Sequence, residues 1–239
     1  MGRGRRNQSA GRGARTTPAA VLGHDCVGGL HRELHVCAQV QQLFGAEDWK
    51  GLAEMESAAA ATASALCSAR RLDIAAQIFG MLGVGQCELR QYVKAVRFLE
   101  QAKEMAEESG NRSVQGNACT HLGICRIHQG EYAEAISLIT RAKTIAVSMG
   151  NRFGEAGACN NLGTCYESLK RFDAAINLYA QAAAIKKGLG DLGGLARAWN
   201  NIGDCHQHLR QYKRAVTWRI HMHYTSTSSY HVDSSYQHD

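Results

Sequence analysis

Apolar residues in this chain recur at steps of three and four, the spacing that gathers them on one face of an α-helix. Between 156 and 195, Ala158, Cys159, Leu162, Cys165, Tyr166 and Leu169 form one such face. A polar turn at Lys170 and Arg171 follows, and Phe172, Ala175, Ile176, Tyr179, Ala182, Ala183 and Ile185 form a second. Gly190 is placed to end that helix, because a residue without a Cβ takes left-handed backbone at little cost. Asn111, Asn151 and Asp191 come directly after Gly110, Gly150 and Gly190 and suit the turn into the next helix. The pattern predicts helical hairpins.

The hairpin repeats with a fixed period. Gly83, Gly123, Gly163 and Gly203 fall forty residues apart, each preceded by an apolar residue at Leu82, Leu122, Leu162 or Ile202. In the same step run Tyr92, Tyr132, Phe172 and Tyr212, then Ala95, Ala135, Ala175 and Ala215, then Ala102, Ala142 and Ala182. Such a period marks a stacked solenoid, in which each unit buries its apolar face only against its neighbours. The expected fold is all-α, a right-handed superhelix of antiparallel helix pairs. Its units are read as 76–115, 116–155, 156–195 and an incomplete 196–219. The small residues predict close helix crossings, with an alanine of the second helix receiving the helix of the preceding glycine. Leucine at Ala135 or Ala175 should then overpack the contact, by about 1–3 kcal/mol.

Residues 29–75 are helical in composition but lose the register. Trp49, Leu52 and Ala59 keep the spacing of Tyr92, Ala95 and Ala102, which suggests a degenerate repeat or N-terminal cap. Residues 1–28 are rich in Gly and Arg, contain the single proline, Pro18, and read as a disordered leader. Their acid-free start also suits an organelle transit peptide. Residues 220–239 are Ser- and His-rich without helical period and read as a disordered tail. Arg219, Met222 and Tyr230 replace a large apolar residue, an Ala and the closing Gly. The expectation is a truncated or alternatively ended product of a longer array.

Charge and cysteine usage narrow the function. The net charge is +6, but Arg3, Arg5, Arg6, Arg12 and Arg15 supply nearly all of it. The body therefore has no electrostatic case for nucleic acid, and only the leader keeps that alternative open. The nine cysteines lie within helical patterns, and no apolar h-region follows the basic start. That argues against a secreted disulfide framework and for a reducing, cytoplasmic setting. No apolar stretch approaches the roughly 20 residues of a membrane span.

This arrangement resembles the tetratricopeptide repeat. In the third unit the family's apolar, Leu, Gly, Tyr, Ala, aromatic and Ala places fall on Cys159, Leu162, Gly163, Tyr166, Ala175, Tyr179 and Ala182. The fourth gives Trp199, Ile202, Gly203, His206 and Ala215 before the match breaks at Arg219. The family's usual closing proline is absent, in keeping with a longer second helix. The forty-residue period is most similar to the repeats of G-protein-signalling modulators (the Pins/LGN type).

The resemblance implies a working surface on the concave face, built from the first helix of each unit. Those places hold Gln77, Asn117, Gly157 and Arg197, then Gly80, Thr120, Asn160 and Asn200, then Met81, His121, Asn161 and Asn201. Val84, Ile124, Thr164 and Asp204 come next, and then Glu88, His128, Ser168 and His208. From this set Asn117, Asn160, Asn161, Thr164, Arg197, Asn200, Asn201 and Asp204 are the candidate partner-binding residues. An amide both donates and accepts, so paired asparagines suit the backbone of a bound peptide. The alternative is that one Asn of each pair only bonds a neighbouring helix. Chaperone-tail adaptors of this family carry Lys where this chain has Gly80, Thr120, Asn160 and Asn200. They carry Asn where it has Val84, Ile124, Thr164 and Asp204, so their carboxylate clamp is missing here.

No reactive centre emerges. Cys119 and Cys125, like Cys159 and Cys165, are six residues apart, a turn of about 600° that points the two thiols away from each other. They read as packing residues rather than metal ligands. Cys205, His206 and His208, with His221 and His223 beyond, do not share a helical face. Gly83-Val84-Gly85 sits within a repeat helix and is no phosphate loop. The reading is a non-enzymatic scaffold or adaptor for a protein or peptide partner, with no cofactor and no metal. A fragment without independent function is the other alternative.

Overall fold

Backbone punctuation recurs every twenty residues. Arg70, Arg90, Gly110, Gly130, Gly150, Lys170, Gly190 and Arg210 all have positive φ, between 57° and 80°. Each ends a helix and reverses the chain. Four of these places are glycine; the other four carry Arg or Lys in left-handed backbone, which costs an L-residue about 1–2 kcal/mol.

The computed structural model describes the backbone of residues 22–217, and side chains from residue 33 onward. The start of the leader and the tail from 220 lie outside the described residues. Within them run α1 (Leu22–Gly45), α2 (Trp49–Glu54), α3 (Glu56–Ser68), α4 (Leu72–Glu88), α5 (Tyr92–Ser109) and α6 (Arg112–Gln129). Then come α7 (Tyr132–Ser148), α8 (Arg152–Ser168), α9 (Phe172–Gly188) and α10 (Leu192–His208), with a last helical segment at 212–217. The described residues are all helix and turn, packed as a right-handed superhelix of antiparallel pairs. The first helices begin four residues ahead of the register in which the units were divided. Helix α1 begins at Leu22, within the 1–28 stretch.

Side-chain caps start four of the helices. Asp48, Asn111, Asn151 and Asp191 accept from the backbone N–H of Gly51, Val114, Gly154 and Gly194 at 2.8–3.2 Å. Each satisfies a donor that helix geometry leaves unpaired. Asp191 also takes Lys186 Nζ at 2.6 Å, and these contacts hold its carboxyl below the usual carboxylate range, the lysine contributing most.

The periodic glycines sit at close crossings, but their neighbour differs from the one expected. A Cβ at Gly83 would stand 2.5 Å from Leu99 Cγ, and at Gly163 2.5 Å from Tyr179 Cε1. At Gly123 it would collide with Ile139. Each glycine thus makes room for a large side chain of the second helix. The alanines also sit near this crossing, the Ala135 carbonyl oxygen 3.5 Å from a Cβ built at Gly123, and pack on toward the next unit. Ala95 clusters with Leu122 and Cys125, Ala135 with Leu162 and Cys165, and Ala175 with Ile202 and Cys205, all from the following unit. Glycine tightens the pair within a unit, and alanine tightens the joint between units.

A groove with an apolar end and an amide end

First helices of neighbouring units touch, α1 with α4, α4 with α6 and α6 with α8, while α5, α7 and α9 make no comparable contact among themselves. The first helices therefore line the inner, concave side. Among the described residues this face divides into two chemically different stretches.

The first is an apolar cavity of about 220 Å³. Phe44 from α1, Met81 and Val84 from α4, and Val114 and Ala118 from α6 line it, over a floor of Leu99. Gln41, Gln77 and Asn117 add amides to its lining. The hollow exists because Gly80 contributes no side chain: a Cβ there would meet only Val114 and Ala102, at 3.8 and 3.9 Å. Four of the lining side chains, Gln77, Met81, Val84 and Asn117, stand on concave places named from the sequence. Phe44 and Gln41 escaped notice because α1 lies outside the forty-residue register.

The second stretch lies on α8 and α10. Asn201 Nδ2 donates to Asn160 Oδ1 at 3.2 Å, tying one unit to the next. Asn200 Nδ2 donates to Asp204 Oδ2 at 2.9 Å along its own helix. Thr164 Oγ donates to the Asn160 carbonyl at 3.3 Å and lies 3.3 Å from the Tyr179 hydroxyl. That hydroxyl donates to Glu167 at 2.7 Å; burial, reinforced by this carboxylate, pushes the phenol well above its ordinary range. Thr164, Asn160 and Asn201 thus carry architectural bonds. The amides keep capacity, since each has two donors and two acceptor sites and each of these bonds uses one. Arg197 and Asn117 are exposed, and Asn160, Asn161, Asn200, Asn201 and Asp204 are half-buried. Asn117 stands apart from the others, at the apolar cavity.

His121 occupies the same helical place as Asn161 and Asn201. Asn201 reaches Asn160 in the preceding unit, but the equivalent step from His121 leads to Gly80, which has no side chain to accept. Burial holds the imidazole below its ordinary 6.5, favouring the neutral ring.

Elsewhere the polar groups are committed to packing. His206 Nδ1 lies 2.9 Å from Gln211 Oε1, and His208 stacks on Phe172 with ring centroids 4.9 Å apart. Cys205 is fully buried, which pushes its thiol up to about 12. His221 and His223 lie outside the described residues, among which no three His, Cys, Asp or Glu side chains converge. A hollow of about 320 Å³ borders the second helices α3 and α5, where Glu56 already pairs with Lys94 at 3.6 Å. No described helix is long and apolar enough to cross a membrane.

Residues 116–188 match one tetratricopeptide repeat model, and 196–218 match another. Tetratricopeptide repeats are thus detected in these two stretches, which together span less than half of the chain. No curated protein sequence matches it. Solved structures agree in shape. BtubC (BKLC) from P. vanneervenii superposes with a TM-score of 0.71 at 17% identity, over 88% of this chain and 86% of that one. MamA gives 0.60 at 17% identity over 87% and 97%. Aspartyl phosphate phosphatase F from Bacillus subtilis gives 0.70 at 17% over 84% of this chain but 52% of the other. At such identities the likeness is one of fold. Neither tetratricopeptide match reaches α1 to α5, whose hairpins the structure nonetheless builds on the same plan.

Proposed function

We propose that the chain is a non-enzymatic protein-interaction scaffold whose concave groove holds a peptide segment of a partner. The observation that carries this reading is the apolar cavity between α1, α4 and α6, lined in part by amides and continued by a row of asparagines on α8 and α10. An apolar side chain of the partner seats between Phe44, Met81, Val84 and Val114. Asn117, Asn161, Asn200, Asn201 and Arg197 hold the peptide backbone and a carbonyl-rich or acidic stretch beside it. A rigid solenoid lowers the ordering cost of association, and modest contacts spread over several units add up. The closer resemblance to G-protein-signalling modulators and a cytoplasmic setting belong to the same proposal.

Selection of displayed random peptides on the purified full chain tests it. Selected peptides should share a large apolar residue and lose binding to Val84→Asp, and they should weaken on Asn161→Ala/Arg197→Ala/Asn201→Ala. Peptides that bind wild type and both folded variants equally would remove the groove from the account.

A further inference from the structure

Cys87 and Cys125 lie on different helices, α4 and α6, 38 residues apart in sequence, yet their sulfurs approach to 3.0 Å. Counting within one helix never pairs them, and counting by forty misses them as well: Cys125 is in step with Cys165 and Cys205, whereas Cys87 is in step with Ile127. They share an apolar pocket with Ala95, Leu99 and Leu122, where Cys125 is fully buried and Cys87 is 8% exposed. The remaining described cysteines have no sulfur of this kind beside them; the Cys67 thiol meets only the Met105 thioether, at 3.4 Å.

We infer that Cys87 and Cys125 form a reversible oxidation site, which a hydroperoxide closes into a disulfide joining α4 to α6. Two thiols in contact need to close by only about 1 Å to reach bonding distance near 2.05 Å. Cys125 is held below its ordinary range chiefly by its hydrogen-bonding contact with Cys87, against burial that raises it and with Arg126 adding to the lowering. The thiolate is the reactive form. Hydrogen peroxide is small enough to enter beside Cys87, the more open of the two.

The thiolate attacks one peroxide oxygen, the O–O bond breaks, and the departing hydroxide takes a proton to leave as water. The resulting sulfenic acid is attacked by the second sulfur, the S–O bond breaks, and a second water departs. Two thiols and one hydrogen peroxide thus give one disulfide and two waters. A thiol reductant reverses the change. The bond ties together the two helices that wall the apolar cavity, so oxidation fixes the spacing of Met81 and Val84 against Val114 and Asn117. This chemistry stands whether or not the groove binds a peptide.

The test uses the full chain, reduced, treated with hydrogen peroxide, blocked with N-ethylmaleimide and digested for mass spectrometry. The expected product is the Cys87 peptide joined to the Cys125 peptide within one molecule, lost again on adding dithiothreitol. The oxidised chain should melt at a higher temperature than the reduced one, a rise that Cys125→Ala abolishes. Equal maleimide labelling of both cysteines before and after peroxide would overturn the inference. So would cross-links from Cys125 that go as often to Cys37 or Cys67. The wild-type measurement needs no variant, so a folding defect in Cys125→Ala does not disturb it.

Discussion

Gly163→Ala and Gly157→Ala place the same methyl group on the same helix, α8, and should have opposite effects. At Gly163 the new Cβ stands 2.5 Å from Tyr179 Cε1 and 2.7 Å from Cδ1. Carbon atoms prefer about 3.5–4.0 Å, so the ring has to retreat by about 1 Å. Tyr179 is 1% exposed and its hydroxyl is tied to Glu167 at 2.7 Å, so retreat strains both packing and that bond. Overpacking costs about 1–3 kcal/mol, and weakening a hydrogen bond to a charged carboxylate about 1.5–3. Alanine returns about 1 kcal/mol of helix propensity, leaving a net loss of about 1.5–5 kcal/mol. At Gly157 a Cβ meets nothing within 4 Å, so only the gain of about 1 kcal/mol remains. Urea unfolding followed by circular dichroism reads both. Because repeat arrays can unfold in parts, hydrogen exchange in α8 and α9 should accompany it. Gly163→Ala as stable as Gly157→Ala would refute the close-crossing account.

Three further outcomes follow from the same contacts. His121 has a folded pKa below its ordinary 6.5, so the unfolded chain takes up the proton first as pH falls. Stability should therefore decline from about pH 6.5 down to the folded pKa and then level, and the difference between wild type and His121→Asn in urea melts isolates this component. Asp191→Asn should keep the cap on Gly194 but lose the Lys186 ion pair, while Asp191→Ala loses both and about 1–2 kcal/mol. The Asp191→Asn difference should be present above pH 3.8 and fade as pH falls through the lowered folded pKa; a difference unchanged in acid would contradict the ion pair. Lys170→Gly should stabilise by about 1 kcal/mol, since Lys170 sits at φ 58° where Gly130, one unit earlier, uses glycine. An unchanged melting temperature would sink that reading.

The period carried most of the fold into view. Four glycines at one spacing, with apolar faces stepping by three and four, imply paired helices stacked in a row, and Asn111, Asn151 and Asp191 were legible as turn residues from their place after the glycines, though not as caps of the helices that follow. What the period could not show is which partner each small residue faces. Gly163 and Ala175 are both small, yet one faces Tyr179 within its own unit and the other faces Ile202 of the next, a distinction set by the rotation of each helix about its axis. Residues outside the register were harder still. Phe44 sits on a helix with no repeat partner, and Cys87 is out of step with the other cysteines, so the cavity and the thiol pair emerge only when neighbouring helices are laid side by side. In the groove, composition marked the asparagines as polar and paired. It did not reveal that Asn201 is bonded to Asn160 and Thr164 to the Asn160 carbonyl.

The central claim is that a partner's apolar side chain enters the cavity between α1, α4 and α6. Methyl-labelled nuclear magnetic resonance of the full chain, titrated with a selected peptide, tests it most directly. The methyls of Met81, Val84 and Val114 should shift with a common affinity. Those of Val93 and Val147, exposed on the second helices α5 and α7, should stay still. Shifts confined to Val93 and Val147, with the cavity methyls unchanged, would contradict the groove as the binding surface.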